Sequence, residues 1–319
     1  MSSILDVRNL TTHYLTARGW VRAAEDVSFT VESGQALGIA GESGCGKTTV
    51  ALSLLKILPR GGRIRKGSII FDGTDLVPLS DGEMRKIRWK GISIVFQGAM
   101  NALNPVFKVG DQIVEAITVH EPDVDKKTAL ERARSLLELV GVEPDRVDNY
   151  PHEFSGGMRQ RALIAMALAA NPKLLVADEP GTALDVIVQA QTLKLMRELK
   201  DRLGLSMVMI SHDLSIIAET CEEVAIMYAG RIVEYGSAES IFKEPLHPYT
   251  QGLVKAFPSI HGERVRLTSI PGTPPDLLDP PSGCRFNPRC PYVMDVCKKQ
   301  VPPLQKAGKA EHLVACHLY

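Results

Sequence analysis

An α/β fold built on a parallel sheet, interrupted by a helical insertion and followed by a small loop-rich extension, is what this 319-residue sequence predicts. Three observations carry that reading. Short apolar strands alternate with helical patterns early in the chain, as in Ala36 to Ala40 followed by Lys47 to Leu58, a pattern of helices laid on a sheet. From Asp111 to Ala170 the residues Ile113, Ile117, Leu130, Leu136, Leu137 and Val140 fall at helical spacing and strand signals vanish,. Beyond about Pro258 the chain changes character: nine of the 20 prolines lie between Pro271 and Pro303, which precludes long helices there.

The length suits one large domain with a smaller appendage. We place the main domain at 1–258, its helical subdomain at about 98–172, and the Cys- and Pro-rich extension at 259–319. Sheet-like segments resume at Leu174 to Ala177, Ser206 to Ile210 and Val224 to Tyr228. Lys plus Arg and Asp plus Glu each number 37, so no basic excess favours a nucleic-acid partner. The longest apolar runs, such as Ala162 to Ala170, fall well short of the roughly 20 residues needed to span a bilayer. Met1 to Asp6 lacks the basic and apolar segments of a secretory signal, so a cytoplasmic chain without disulfides is expected.

Gly41, Glu42, Ser43, Gly44, Cys45, Gly46, Lys47 and Thr48 fit the phosphate-loop pattern G-x-x-x-x-G-K-[ST], directly after an apolar strand and opening a helix that continues through Thr49,. Backbone N–H groups in such a loop wrap phosphates, the lysine meets the β- and γ-phosphates, and the Thr48 hydroxyl is a ligand for Mg²⁺. No second copy of the pattern occurs, so one nucleotide domain is expected. Leu174 to Ala177 runs into Asp178 and Glu179. An acidic pair at a strand end is more often a cap or turn. In a chain with a phosphate loop, Asp178 becomes the Mg²⁺-side acid and Glu179 the base that polarises the attacking water.

Ser155, Gly156 and Gly157 precede a helical segment, Met158 to Ala170, and so set backbone amides at a helix start, ready for an anion. This segment, with Gln160, resembles the signature of ABC ATPases. The other family marks follow in register: Tyr14 resembles the aromatic that stacks on adenine, Gln97 the glutamine that joins Thr48 and Asp178 around Mg²⁺, Asp185 the end of the D-loop, and His212 the switch histidine. The resemblance covers about residues 4 to 236 and implies an ABC-type nucleotide-binding domain, with a RecA-like parallel core, an antiparallel N-terminal sheet and an inserted helical subdomain. It also implies a head-to-tail pair of ATPases. Ser155, Gly156, Gly157 and Gln160 would then serve the partner's ATP, while Lys47, Asp178, Glu179, His212 and Gln97 serve the ATP held here.

Met100 to Pro105, Leu246 to Thr250, Ile270 to Pro275 and Gly283 to Cys290 resemble the ATPases of dipeptide and oligopeptide importers, with nickel and oligosaccharide relatives. That resemblance implies a second, non-identical ATPase subunit, two permeases, an extracytoplasmic solute-binding protein acting indirectly, and a place on the cytoplasmic face of the cell membrane. It leaves the solute open. Cys284, Cys290, Cys297 and Cys316 are spaced C-x5-C-x6-C-x18-C, unlike the paired knuckles of structural zinc. Four thiolates suit a [4Fe–4S] cluster, as the resemblance also implies, with Zn²⁺ an alternative because His312 and His317 flank Cys316, and free thiols the third. The extension is expected to stand apart from the ATP chemistry. The rival class is a soluble ABC ATPase of translation, repair or cluster assembly, against which stand the single nucleotide domain and an insertion too short for long coiled coils.

Overall fold

The computed structural model describes residues 3–96, 98, 102–181, 184–256, 270–307 and 311–319. It divides into two units, Met1–Pro78 with Met209–Tyr319, and Leu79–Val208 inserted between them in sequence. The first unit begins with an antiparallel sheet. Strands β1 (Ser3–Thr16) and β2 (Gly19–Glu32) form a hairpin. The buried residues of β1 switch parity from Leu5 and Val7 to Leu10 and Thr12. The register shifts between Val7 and Leu10, where Asn9 has φ of 50°, and a bulge of this kind moves the following side chains to the other face. Strand β3 (Ala36–Ala40) is buried at every residue, as a strand covered on both faces must be. Helix α1 (Lys47–Leu54) follows, shorter than the pattern to Leu58 predicts. It stops because Lys56 takes a left-handed conformation (φ 50°) ahead of Pro59,. Strands β4 (Gly62–Phe71) and β5 (Thr74–Asp75) complete a sheet of order β2-β1-β4-β5.

The second unit opens with α2 (Asp81–Ile87), started by a reciprocal Ser80–Glu83 capping box,. Strand β6 (Ile92–Val95) runs parallel to β7 (Leu174–Asp178), Ile92 opposite Leu174 and Val95 opposite Ala177. Between them come α3 (Val109–His120), α4 (Lys126–Leu139) and α5 (Gly156–Ala167), a helical stretch as expected. Each has a local cause. Asp125 caps α4 through the N–H groups of Lys127 and Thr128, and Gly110 lets α3 approach Val147, whose Cγ2 would lie 2.3 Å from any Cβ there. Helix α6 (Val186–Leu203) is capped by Asp185 and ends at Gly204, φ 62°,.

Strand β8 (Ser206–Ser211) carries the chain back into the first unit. There α7 (Leu214–Thr220) leads to β9 (Glu223–Tyr228), which lies parallel to β3 with Leu37 opposite Glu223. Strand β10 (Arg231–Ser237) turns back antiparallel to β9, and α8 (Ala238–Lys243) and α9 (Pro248–Ala256) follow. The extension is loop-rich, with one 3-10 turn at Asp295–Lys298, yet it adds two short strands, β11 (Gln305–Lys306) and β12 (Leu313–Val314). β12 pairs with β10 through Val314 opposite Glu234 and Leu313 opposite Tyr235. Within this unit the strand order is β11-β12-β10-β9-β3. Among the described residues no helix is long and apolar enough to cross a membrane.

Candidate active site

The phosphate loop joins β3 to α1 in the first unit. Its two pattern glycines are demanded by close backbone approach. A Cβ at Gly41 (φ 151°) would sit 2.1 Å from the carbonyl oxygen of Met227, and one at Gly46 (φ 107°) 2.0 Å from that of Ala23. Lys47 is buried, and its Nζ donates to the carbonyls of Gly41 (2.8 Å) and Glu42 (3.1 Å). No side chain caps α1, which leaves its first-turn N–H groups and positive end to an anion. Ser43, Gly44 and Thr48 are exposed, Thr49 and Cys45 buried. Burial pushes the Cys45 thiol up, so it stays a neutral core group,. Tyr14, half-buried in β1, lies over Gly62, where a Cβ would come 2.8 Å from its Cε1. His212 is exposed directly after β8, and the next residue, Asp213, caps α7 through Ser215 N–H.

In the second unit, β7 ends at the buried Asp178. Glu179 follows with φ 49° ahead of Pro180, a left-handed conformation that costs a non-glycine residue about 1–3 kcal/mol and concentrates at functional positions. Ser155 is exposed and caps α5, its Oγ accepting from Met158 N–H at 3.3 Å. Gly156 and Gly157 therefore form the first turn of α5, which begins earlier than the segment from Met158. Gly157 has a packing reason to be glycine, because its Cβ would meet Val188 Cγ1 at 2.7 Å. Gln160 is 3 % exposed, on the buried side of α5. Asp185 spends its carboxylate on Val188 N–H at 2.9 Å. Gln97 lies outside the described residues.

The extension reaches the phosphate loop of its own unit. Arg289 donates Nη1 to Glu42 Oε2 (2.7 Å) and Nη2 to Glu42 Oε1 (2.9 Å), a bidentate pair on the phosphate loop itself,. Arg285 donates to the Ala229 carbonyl and to Glu25 of β2. Phe286 meets Tyr228 edge to face and packs tilted against Tyr249 and His247 in one aromatic cluster. Tyr249 Oη in turn accepts the Glu42 N–H at 2.9 Å. Sequence reasoning missed these anchors, since Arg289 and Glu42 stand 247 residues apart and nothing local marks the pair.

Cys284 and Cys290 are half-buried, Cys297 and Cys316 buried. Burial first, then the charges of Cys297, Cys316 and Cys290, push the Cys284 thiol up to about 11, so all four sulfurs share one neighbourhood. Burial also pushes the Cys290 and Cys316 thiols up. Among the described residues, however, no group of three or more His, Cys, Asp or Glu is arranged to hold a metal ion. The histidines thought to favour zinc are engaged elsewhere. His312 Nε2–H donates to the buried Glu234 at 2.7 Å, and His317 Nε2–H to the Gln300 carbonyl at 3.0 Å.

The ABC transporter family matches residues 24–182, and the oligopeptide/dipeptide transporter C-terminal region matches residues 233–297. The oligopeptide transport ATP-binding protein OppD of Bacillus subtilis is 48% identical over 318 residues, covering 98% of this chain and 88% of its own. The dipeptide transport ATP-binding protein DppD of the same organism is 46% identical over 322 residues, covering 100% and 95%. Among solved structures, a dimeric post-hydrolysis state of the ATP-binding cassette MJ0796 with ADP and phosphate matches with TM-score 0.66 and 25% identity, over 73% of this chain and 98% of that one. The glycine-bound phosphate loop, the strained strand-end acid and these matches lead to one conclusion: the chain belongs to the ABC transporter ATPases, in their oligopeptide/dipeptide branch.

Proposed function

We propose that this chain binds and hydrolyses ATP to drive di- or oligopeptide import through two separate permease subunits, from the cytoplasmic face of the membrane and beside a second, non-identical ATPase. An extracytoplasmic binding protein delivers the solute. The observation that carries the reading is the joint presence of a preset phosphate loop around Lys47 and a C-terminal region of the oligopeptide/dipeptide type.

Each residue has a task. Lys47 leaves the carbonyls of Gly41 and Glu42 for the β- and γ-phosphates, and the N–H groups of Gly44 to Thr48 wrap them. Tyr14 stacks on adenine. Thr48, Asp178 and Gln97 supply the oxygen donors that Mg²⁺ prefers, and the ion neutralises charge on the phosphates when bound. Glu179 accepts a proton from the attacking water, and His212 stabilises the γ-phosphate as charge develops. Ser155, Gly156 and Gly157 bring a helix start to the ATP of the partner ATPase, while Gln160 holds α5 in shape from inside. Asp185 fixes the start of α6. The test is reconstitution with the permeases and partner ATPase in liposomes: ATP-dependent peptide uptake, lost in Glu179→Gln, is expected. Robust ATP turnover with no uptake of any di- or oligopeptide would overturn the solute assignment.

For the extension, we infer a [4Fe–4S] cluster on Cys284, Cys290, Cys297 and Cys316 in preference to Zn²⁺. Three lines support this. The C-x5-C-x6-C-x18-C spacing is unlike the paired knuckles of structural zinc,, four thiolates suit such a cluster, and both nearby histidines are already committed. Such a centre would cross-link the loops of the extension, beside its small apolar cluster of Ala307, Val314 and Cys316,.

A further inference from the structure

The phosphate-loop pattern gives the side chain of its second residue no task. Here that residue is Glu42, and it is held from three directions. Its N–H donates to Tyr249 Oη at 2.9 Å. Its carbonyl accepts from Cys45 N–H at 3.2 Å and from Lys47 Nζ at 3.1 Å. Its carboxylate accepts the two-pronged guanidinium of Arg289.

Arg289 is equally committed. Its Nε donates to the Pro271 carbonyl (2.8 Å), Nη2 also to the Ile270 carbonyl (3.3 Å), and Nη1 also to Tyr228 Oη (3.4 Å). Its side chain is 5 % exposed, and its cation lies 5.8 Å from the Tyr228 ring centroid and 6.0 Å from that of Phe286,. A guanidinium with every N–H engaged has one orientation. The carboxylate it grips is fixed with it.

The loop gains from such an outside hold because its internal bonds, from Cys45 N–H and Lys47 Nζ, act on a backbone rich in glycine. Gly41, Gly44 and Gly46 all have positive φ, at 151°, 78° and 107°, so the backbone between them has the freedom of glycine and loses much entropy when set. Of the two carbonyls that hold Lys47 Nζ, one belongs to Glu42 itself and the other to Gly41 just before it. We propose that Arg289 is a positioning residue for ATP binding: by fixing Glu42 it presets the phosphate loop and the resting place of Lys47, so that the C-terminal extension sets nucleotide affinity without touching nucleotide. A plain staple, fastening the extension to the core, would use the same bonds but would leave ATP affinity alone.

The test uses the assembled transporter, with ATP turnover of the unaltered complex confirming that the Lys47 loop works in the assay. Arg289→Ala, Arg289→Lys, Glu42→Gln and the reversed pair Glu42→Arg with Arg289→Glu are compared by KM, kcat, affinity for a non-hydrolysable ATP analogue, and proteolysis of the extension. Loss of a charge-assisted fork should raise the KM for ATP by about tenfold with a smaller change in kcat. Arg289→Lys, which keeps the charge and loses the fork, should fall between, and the double variant Arg289→Ala with Glu42→Gln should be no worse than either single change. Glu42→Gln leaves the other bonds of Arg289 in place and serves should Arg289→Ala fail to fold. An unchanged KM and analogue affinity in Glu42→Gln, or additive effects in the double variant, would overturn the proposal. A loosened extension with normal ATP affinity would do so too, and leave the staple in its place.

Discussion

Glu179 and Lys47 differ in what holds them, and their substitutions should differ accordingly. Glu179 owes its position to a left-handed backbone at the end of β7, so Glu179→Gln keeps the shape and removes only the proton acceptor. ATP should still bind while turnover falls by about 10²–10⁴-fold, as single-turnover and binding assays would show; near-normal turnover would remove the base role. Lys47 instead braces Gly41 and Glu42 through its Nζ, so Lys47→Ala removes both the phosphate's proposed positive partner and a brace of the loop. Nucleotide affinity should drop by at least about tenfold, and unchanged affinity by calorimetry would contradict it. Ser155→Arg adds bulk and charge at the start of α5, where the small cap stands exposed. It should leave ATP binding at this chain's own loop intact and stop hydrolysis at the partner's. Lost occupancy of the Lys47 loop would show that the segment acts within its own chain. At this scale the phosphate loop around Lys47 and the strand end at Asp178 and Glu179 were legible as positions because each sits inside a short contiguous pattern. The hold of Arg289 on Glu42 was not, because an ion pair across 247 residues leaves no spacing to read.

Strands β3, β7, β8 and β9 were found close to their true ends because a strand covered on both faces must be a continuous apolar run. Element ends were harder. Helix α1 stops early at a left-handed lysine, and α5 starts early because Ser155, not Gly157, is its cap. Strands β11 and β12, of two residues each, are too short to show any period. Start of α9 rests on His247, which is 1 % exposed and accepts Tyr249 N–H on Nδ1 at 3.0 Å. Burial lowers its pKa from 6.5 to about 3. The unfolded chain therefore binds a proton that the folded chain refuses between those values. The contribution is fully present above 6.5 and is lost as pH falls toward about 3, by up to about 1.4 kcal/mol for each unit below 6.5. Thermal unfolding at about pH 7.5 and 5.5 should show this loss, and His247→Gln, which keeps an acceptor for Tyr249 N–H, should flatten it. An equal acid-side loss in the variant would clear His247.

Across the whole molecule, the extension is woven into the first unit by β12 on β10, by the buried Glu234 that accepts from Leu246 N–H, His247 N–H and His312, and by Arg285 and Arg289. These anchors are tertiary and silent in the sequence. Protein prepared without oxygen should be brown, absorb broadly near about 400 nm and carry about four irons. Changing Cys290 and Cys297 to Ser should bleach it and open the extension to proteases. Stoichiometric zinc without iron would replace the cluster with a simple structural ion.

The pairing of β3 with β9, Leu37 opposite Glu223, and of β10 with β12 also governs how the chain comes into being. Its first strands leave the ribosome long before their neighbours exist, and β10 must wait for residue 313 before its free edge is covered. At about 5–20 residues per second that last interval alone is roughly 4–15 s, during which the nascent sheet offers unpaired N–H and C=O groups to any passing strand. Synthesis thus has a vulnerable window that closes only when the extension arrives, and chaperone demand during translation is set by the distance between these partners rather than by the stability of the finished fold.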